Sequence, residues 1–174
     1  MSEQTGATPQ ANDEELDAFW ELARRHIEAG SVTAYTGETP LERLRPPAWA
    51  FGATPAQADQ LLALVLAGTK TATAGAYWDY EASDEPLPEV GTLGIVLDGA
   101  AHPRALVVTT EVSVTPFDEV DEMHAFLEGE GDRTLRYWRD VHESFFRAYP
   151  EHDRGFAPDM PVVLERFDLL YAGE

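Results

Sequence analysis

The chain has 174 residues, 44% of them hydrophobic and 10% aromatic, with 32 acids against 12 Lys and Arg and a net charge of −20. That balance excludes a protein that coats long polyanions, because duplex binding gains affinity by replacing counterions with Lys and Arg; duplex DNA is not an expected partner. Cysteine is absent, which excludes disulfides, thiolate metal sites and a cysteine nucleophile, and no run of apolar residues is long enough to suggest a membrane partner.

This length is expected to make one domain. The opening residues, MSEQTGATPQANDEE, have no basic start and no apolar run, so no secretory signal is expected and a cytoplasmic location is the default. Residues 1–12 read as a disordered tail. From Asp13 to Ala29, Leu16, Phe19, Trp20, Ala23 and Ile27 recur at helical spacing behind a capping Asn12, and Gly30 ends the run. A loop with Pro40, Leu41, Leu44, Pro46 and Pro47 follows. Thr54-Pro55-Ala56-Gln57 offers a cap, a first-turn proline and a capping-box Gln. The helix it starts carries the stripe Ala58, Leu61, Leu62, Val65 and Leu66 and stops at Gly68.

The next passage, GTKTATAGAYW, sets Lys70 and three threonines among small residues and follows them with Tyr77 and Trp78. Thr69–Trp78 is expected to be extended. Gly91–Asp98 and Arg104–Val114 read as a hairpin joined through Gly99–Pro103. Phe117–Leu127 and Arg133–Tyr149 read as helices, the second capped by Asp132 and striped by Leu135, Trp138, His142, Phe145, Phe146 and Tyr149. Pro161–Tyr171 closes as a strand. The order does not alternate as βαβ units do; it predicts an α+β protein whose few strands curl into a small barrel.

Three segments in this order carry a family resemblance: Gly68-x-Lys70-x-x-Thr73, the strand Thr109-Thr110-Glu111, and Glu128-Gly-x-Gly-Asp-Arg133. Over residues 49–171 the chain resembles the ASCH domain family, RNA-associated modules related to the PUA domain, and its first helix resembles the N-terminal extension of the longer bacterial branch. The resemblance implies a partly open PUA-like β-barrel with helices packed around a central cleft. It divides the chain into a tail (1–12), a helical extension and loop (13–48) and the ASCH domain (49–174). It also implies a hydrolase: cleavage of single-stranded RNA in a small cleft, with a divalent cation (Mg²⁺ or Mn²⁺), is the leading expectation, deacylation of N4-acetylcytidine-type modified nucleosides with Thr73 as nucleophile is the alternative, and a binding module without chemistry is the third. The family's lysine and threonine fall on Lys70 and Thr73, and its glutamate is matched to Glu111. The short family members have basic residues where this chain has Ala74–Trp78, so the wall of the site differs.

The residues support either chemistry. A lysine in a cleft can take the proton of Thr73 and leave a nucleophile, with Glu111 activating water. For RNA cleavage, Glu111 is the base, Lys70 stabilises charge on phosphorus, and Tyr77 and Trp78 stack bases. Thr71 and Arg133 complete the expected substrate contacts. Plainer roles stay open: Lys70 beside a helix end, Thr71 and Thr73 as strand formers, Glu111 as a solvated strand residue, Tyr77 or Trp78 in the core, Glu128–Arg133 as an acidic loop and His142 as a satisfied interior histidine. No His-x-His or His-Glu-x-x-His spacing marks a metal site.

Overall fold

The computed structural model describes residues 9–30 and 44–174; most of the predicted tail, and Pro40 and Leu41 of the predicted loop, lie outside the described residues. The elements are α1 (Asp13–Gly30), β1 (Ala48–Trp49), α2 (Pro55–Leu66), β2 (Ala72–Ala76), α3 (Tyr77–Ser83), β3 (Leu93–Leu97), β4 (Pro103–Pro116), a 3₁₀ turn (Phe117–Glu119), α4 (Glu122–Glu128), α5 (Leu135–Ala148) and β5 (Pro161–Ala172). No helix among the described residues is long and apolar enough to cross a membrane.

The strands form one five-stranded sheet in the order β1-β3-β4-β5-β2. β1 runs parallel to β3, and the other pairs are antiparallel. The fold is α+β as expected, but the sheet is not closed into a barrel. β1 is two residues long and β2 five, and these two short strands are the edges. Three apolar clusters flank the sheet. Leu16, Phe19, Trp20 and Ala23 of α1 pack on Ile95, Leu97 and Leu106. Leu62 and Val65 of α2, with Phe51, pack on Val96, Ala105, Val107 and Phe167. Trp138 and Phe146 of α5, with Phe117, Val120 and Ala125, pack on Ala76 and Val162. Each fully buried large side chain contributes about 1.5–3 kcal/mol.

The helix signals read from sequence largely hold. Asn12 Oδ1 accepts from the N–H of Glu14 and Glu15 at 2.9 and 3.3 Å. Thr54 Oγ1 accepts from Gln57 N, and Gln57 Oε1 accepts from Ala53 N. Three readings change. The predicted helix Phe117–Leu127 is broken: a 3₁₀ turn ends at Glu119, Val120 is extended, and α4 starts afresh behind Asp121, whose side chain accepts from His124 N. Tyr77–Ser83 is a helix, so the predicted extended segment ends at Ala76. The cap of α5 is Thr134, whose side chain accepts from Tyr137 N, while Asp132 accepts from the N–H and hydroxyl of Thr134.

Candidate functional site

Two glycine turns bring the site together. Gly68 has φ +74°, a left-handed conformation that costs glycine little. Behind it the N–H groups of Thr69 and Lys70 both return to Leu64 O, at 2.9 and 3.1 Å, so Lys70 leaves the helix pointing inward. Opposite, α4 ends at Glu128, and Gly129 caps it with φ +72°. A Cβ on Gly129 would stand 2.4 Å from Thr69 O, so the two turns touch backbone to backbone. Thr71 N donates to Leu127 O at 2.8 Å. Glu128 and Glu130, on either side of the glycine, are thereby aimed at one lysine.

Lys70 is 2% exposed. Its Nζ lies 3.1 Å from Glu130 Oε1 and 3.5 Å from Glu128 Oε2, and 5.2 Å from the centre of the Phe51 ring. Glu128 is buried too, and four donors surround its carboxylate. Oε1 accepts from His124 Nε2 at 2.7 Å and from Trp138 Nε1 at 2.8 Å; Oε2 faces His142 Nε2 at 3.1 Å as well as the lysine. Burial pushes this carboxyl up, but the His142 and Lys70 charges and the histidine hydrogen bonds outweigh it and hold Glu128 well below the usual range. It is therefore ionised.

His142 has a protonation state set by geometry. Its Nδ1 is 2.8 Å from Trp138 O, an oxygen that can only accept, and its Nε2 faces an ionised carboxylate. Both nitrogens carry protons, so the ring is an imidazolium. Burial works against that charge, and Glu128 overcomes it, raising the His142 pKa. The ring also stacks on Trp138, centroids 4.2 Å apart. The site thus holds two cations and two carboxylates, with Glu130, its side chain 16% exposed, at the solvent edge.

Glu128, Glu130 and His142 also place one ligand atom each within 4.8 Å of one another. These residues do not fit Mg²⁺ or Mn²⁺ as they stand. The Lys70 ammonium already bridges the two carboxylates, and a doubly protonated imidazole has no lone pair to give.

Of the residues given a catalytic or substrate-binding role from sequence, Lys70 alone is bonded into this network; Glu128, Glu130 and His142, read there as an acidic loop and an interior histidine, supply the rest. Thr73 sits mid-β2, half-buried, directly across from Glu165 of β5. Glu111 is on the surface in an ion pair with Arg166 at 3.0 Å, with no bond to Lys70. A bulge sets the face Glu111 occupies. Thr109 pairs with Phe167 and Glu111 with Arg166, adjacent residues on the partner strand. The extra residue, Thr110, turns Glu111 to the face opposite Thr109. The carboxylates that meet the lysine are Glu128 and Glu130. Their signal in the sequence was His124 and Glu128 one helical turn apart, with Trp138 and His142 repeating the spacing on α5.

Thr71 donates its hydroxyl to Leu127 O at 3.4 Å and serves the turn. Tyr77 opens α3, half-buried. Trp78 packs edge-on against His152 and under Arg154 and lines an open cavity of about 490 Å³. Arg133 lies 3.6 Å over the Phe126 ring and donates to Phe126 O. A second cavity, about 200 Å³, is lined by Glu111, His124 and Arg166 among others. Lys70 lines neither of these two cavities, and the central cleft expected around it is not shown among the described residues.

The comparisons agree with this fold. No curated protein matches the chain. Among solved structures, an ASCH domain from Lactobacillus crispatus JV V101 superposes with a TM-score of 0.77 at 29% identity, covering 95% of this chain and 99% of that one. A protein from Enterococcus faecalis V583 superposes with a TM-score of 0.74 at 30% identity, covering 90% and 88%. The ASCH domain model matches residues 47–171. With that match spanning the β-sheet, the Lys70 turn and the Glu128 turn alike, the chain belongs to the ASCH domain family.

Proposed function

We propose that this chain is a hydrolase acting on a small, uncharged product of RNA chemistry, an N4-acylated cytidine-type nucleoside. One observation carries the reading: the Lys70 ammonium is buried and already matched by Glu128 and Glu130. A cation so balanced has little charge to offer a phosphate, whereas a proton donor held between carboxylates suits amide hydrolysis. The net charge of −20 repels a phosphate chain but not a neutral nucleoside. In this scheme Lys70 polarises the acyl carbonyl and supplies a proton to the departing nitrogen. Glu128 fixes the lysine. Glu130, at the solvent edge, takes the proton of the attacking hydroxyl, which comes from Thr73 or from water. The acyl carbon–nitrogen bond breaks and the free amine leaves; where water attacks, the acid is released in the same step, and where Thr73 attacks, water then hydrolyses the acyl-threonine ester to give the acid and the free hydroxyl.

The test follows N4-acetylcytidine by absorbance for the wild type, Lys70→Ala and Thr73→Ala. Turnover lost in Lys70→Ala supports the reading. Turnover lost in Thr73→Ala as well assigns the nucleophile, and retention there assigns water. No turnover by the wild type sinks it.

Cleavage of single-stranded RNA is a second reading, favoured by the Arg133 guanidinium stacked on Phe126, which is 49% exposed. Fluorescent RNA with and without Mn²⁺, against Lys70→Ala, separates the two; equal cutting by both proteins points to a contaminant.

A further inference from the structure

The bulge that turns Glu111 outward leaves another strand glutamate on the face of Thr73. Glu165 lies mid-β5, with Thr73 directly opposite on β2. From β4 on its other side, Thr109 Oγ1 donates to Glu165 Oε1 at 2.6 Å. Thr109 is 4% exposed, so one carboxylate oxygen is anchored from within the sheet. Along the same face, Tyr80 of α3 covers Gly75: a Cβ there would stand 3.2 Å from the ring and 3.4 Å from the hydroxyl. Three hydroxyls, of Thr73, Thr109 and Tyr80, and a half-buried carboxylate are thus gathered on one face. The next residue on that face of β5 is Phe167, whose ring neighbours Phe51, and the Lys70 ammonium rests on Phe51.

This arrangement is poor as a purely structural device. Glu165 forms no salt bridge among the described residues; its neighbour Arg166 pairs with Glu111 on the opposite face. Burial raises the Glu165 carboxyl above its usual range, and the Thr109 hydrogen bond offsets this in part. Burial, with the charge of Glu165 next, pushes the Tyr80 hydroxyl up to about 12, so Tyr80 stays a donor at neutral pH. A glutamine would keep the bond to Thr109 without the cost of a desolvated charge. An acid held here without a cation suits a role as an acceptor for something that is not part of the chain.

We propose that Glu165 is a ligand-recognition residue: its carboxylate, anchored by Thr109 and facing Thr73, accepts an N–H of the bound nucleoside, such as the amino edge of cytosine presents. Carboxylates accept from that amino group, whereas uracil offers an oxygen at the same place. The inference rests on the nucleoside reading of the site and adds the residue that selects the base.

The experiment titrates cytidine and uridine into the wild type, Glu165→Gln and Thr109→Val by calorimetry, with a melting curve for each. The expected result is preference for cytidine in the wild type and about tenfold or greater weakening in Glu165→Gln, with a melting temperature equal to or above wild type. Thr109→Val, which frees the carboxylate without removing it, weakens cytidine by a smaller factor. Unchanged cytidine affinity in Glu165→Gln overturns the proposal. So does a wild type that does not bind cytidine, or a loss that tracks a fall in melting temperature. Cytidine binding that depends on Glu165, in a protein that hydrolyses no acylated cytidine, defeats the hydrolase reading and leaves this one standing.

Discussion

Replacing Glu128 by Gln is the sharpest perturbation of the network around Lys70. The substitution keeps size and shape and removes one charge, in a side chain 1% exposed. Four donors face that carboxylate: His124, Trp138, His142 and Lys70. Two of them, Lys70 and His142, are buried cations that the change leaves with Glu130 alone. Removing one partner of a buried ion pair costs about 3–5 kcal/mol, chiefly through the orphaned charge. Stability totals of about 5–15 kcal/mol make that a large fraction. At about 2–4 °C per kcal/mol for a chain of this size, the melting temperature falls by about 6–20 °C. The assay is urea unfolding with a thermal scan, repeated on Lys70→Met and on the double variant. If orphaned charge is the cause, Lys70→Met added to Glu128→Gln costs less than Lys70→Met alone, with a coupling of about 1–3 kcal/mol. A single-variant loss under about 1 kcal/mol, or strict additivity in the double variant, refutes the reasoning.

The histidine and the carboxylate also fix a pH signature. His142 is raised from 6.5, so its contribution is fully present below about pH 6.5 and is lost as pH rises through its folded-state value. Glu128 is lowered from 4.5, so its contribution is present above about pH 4.5 and is lost as pH falls towards its folded-state value. Stability measured by urea titration is therefore greatest between these limits, and His142→Gln reduces the alkaline decline, leaving the part due to His102, whose hydrogen bond to Glu15 also raises it; a decline undiminished in the variant contradicts the imidazolium assignment. Gly129→Ala forces a left-handed alanine, costing about 1–2 kcal/mol, and drives a Cβ against Thr69 O, so it lowers the melting temperature and weakens any Lys70-dependent activity together. Glu111→Ala removes a surface pair with Arg166, worth about 0–1 kcal/mol; unfolding barely changes and turnover is retained, whereas lost turnover would restore Glu111 to the catalytic group.

What was legible in the sequence is what local chemistry decides. Asn12, the Thr54–Gln57 box and Gly68 marked helix ends because caps and turns are settled within a few residues. The stripe Leu16, Phe19, Trp20 and Ala23 identified a buried face because periodicity is a property of one helix. Lys70 stood out because a lysine among small residues, just past a helix, has few surface roles. The remainder depended on contacts distant in the chain. Glu128 lies 58 residues from Lys70, and a glutamate in an acidic run looks like any other until Gly129 packs on Thr69. The bulge at Thr110 moved Glu111 from one face of the sheet to the other, since one extra residue inverts a period of two. His142 matched its reading as a satisfied interior histidine, but its charge did not come from the helix it sits on. That was decided in three dimensions, where a carbonyl and an ionised carboxylate took both of its nitrogens.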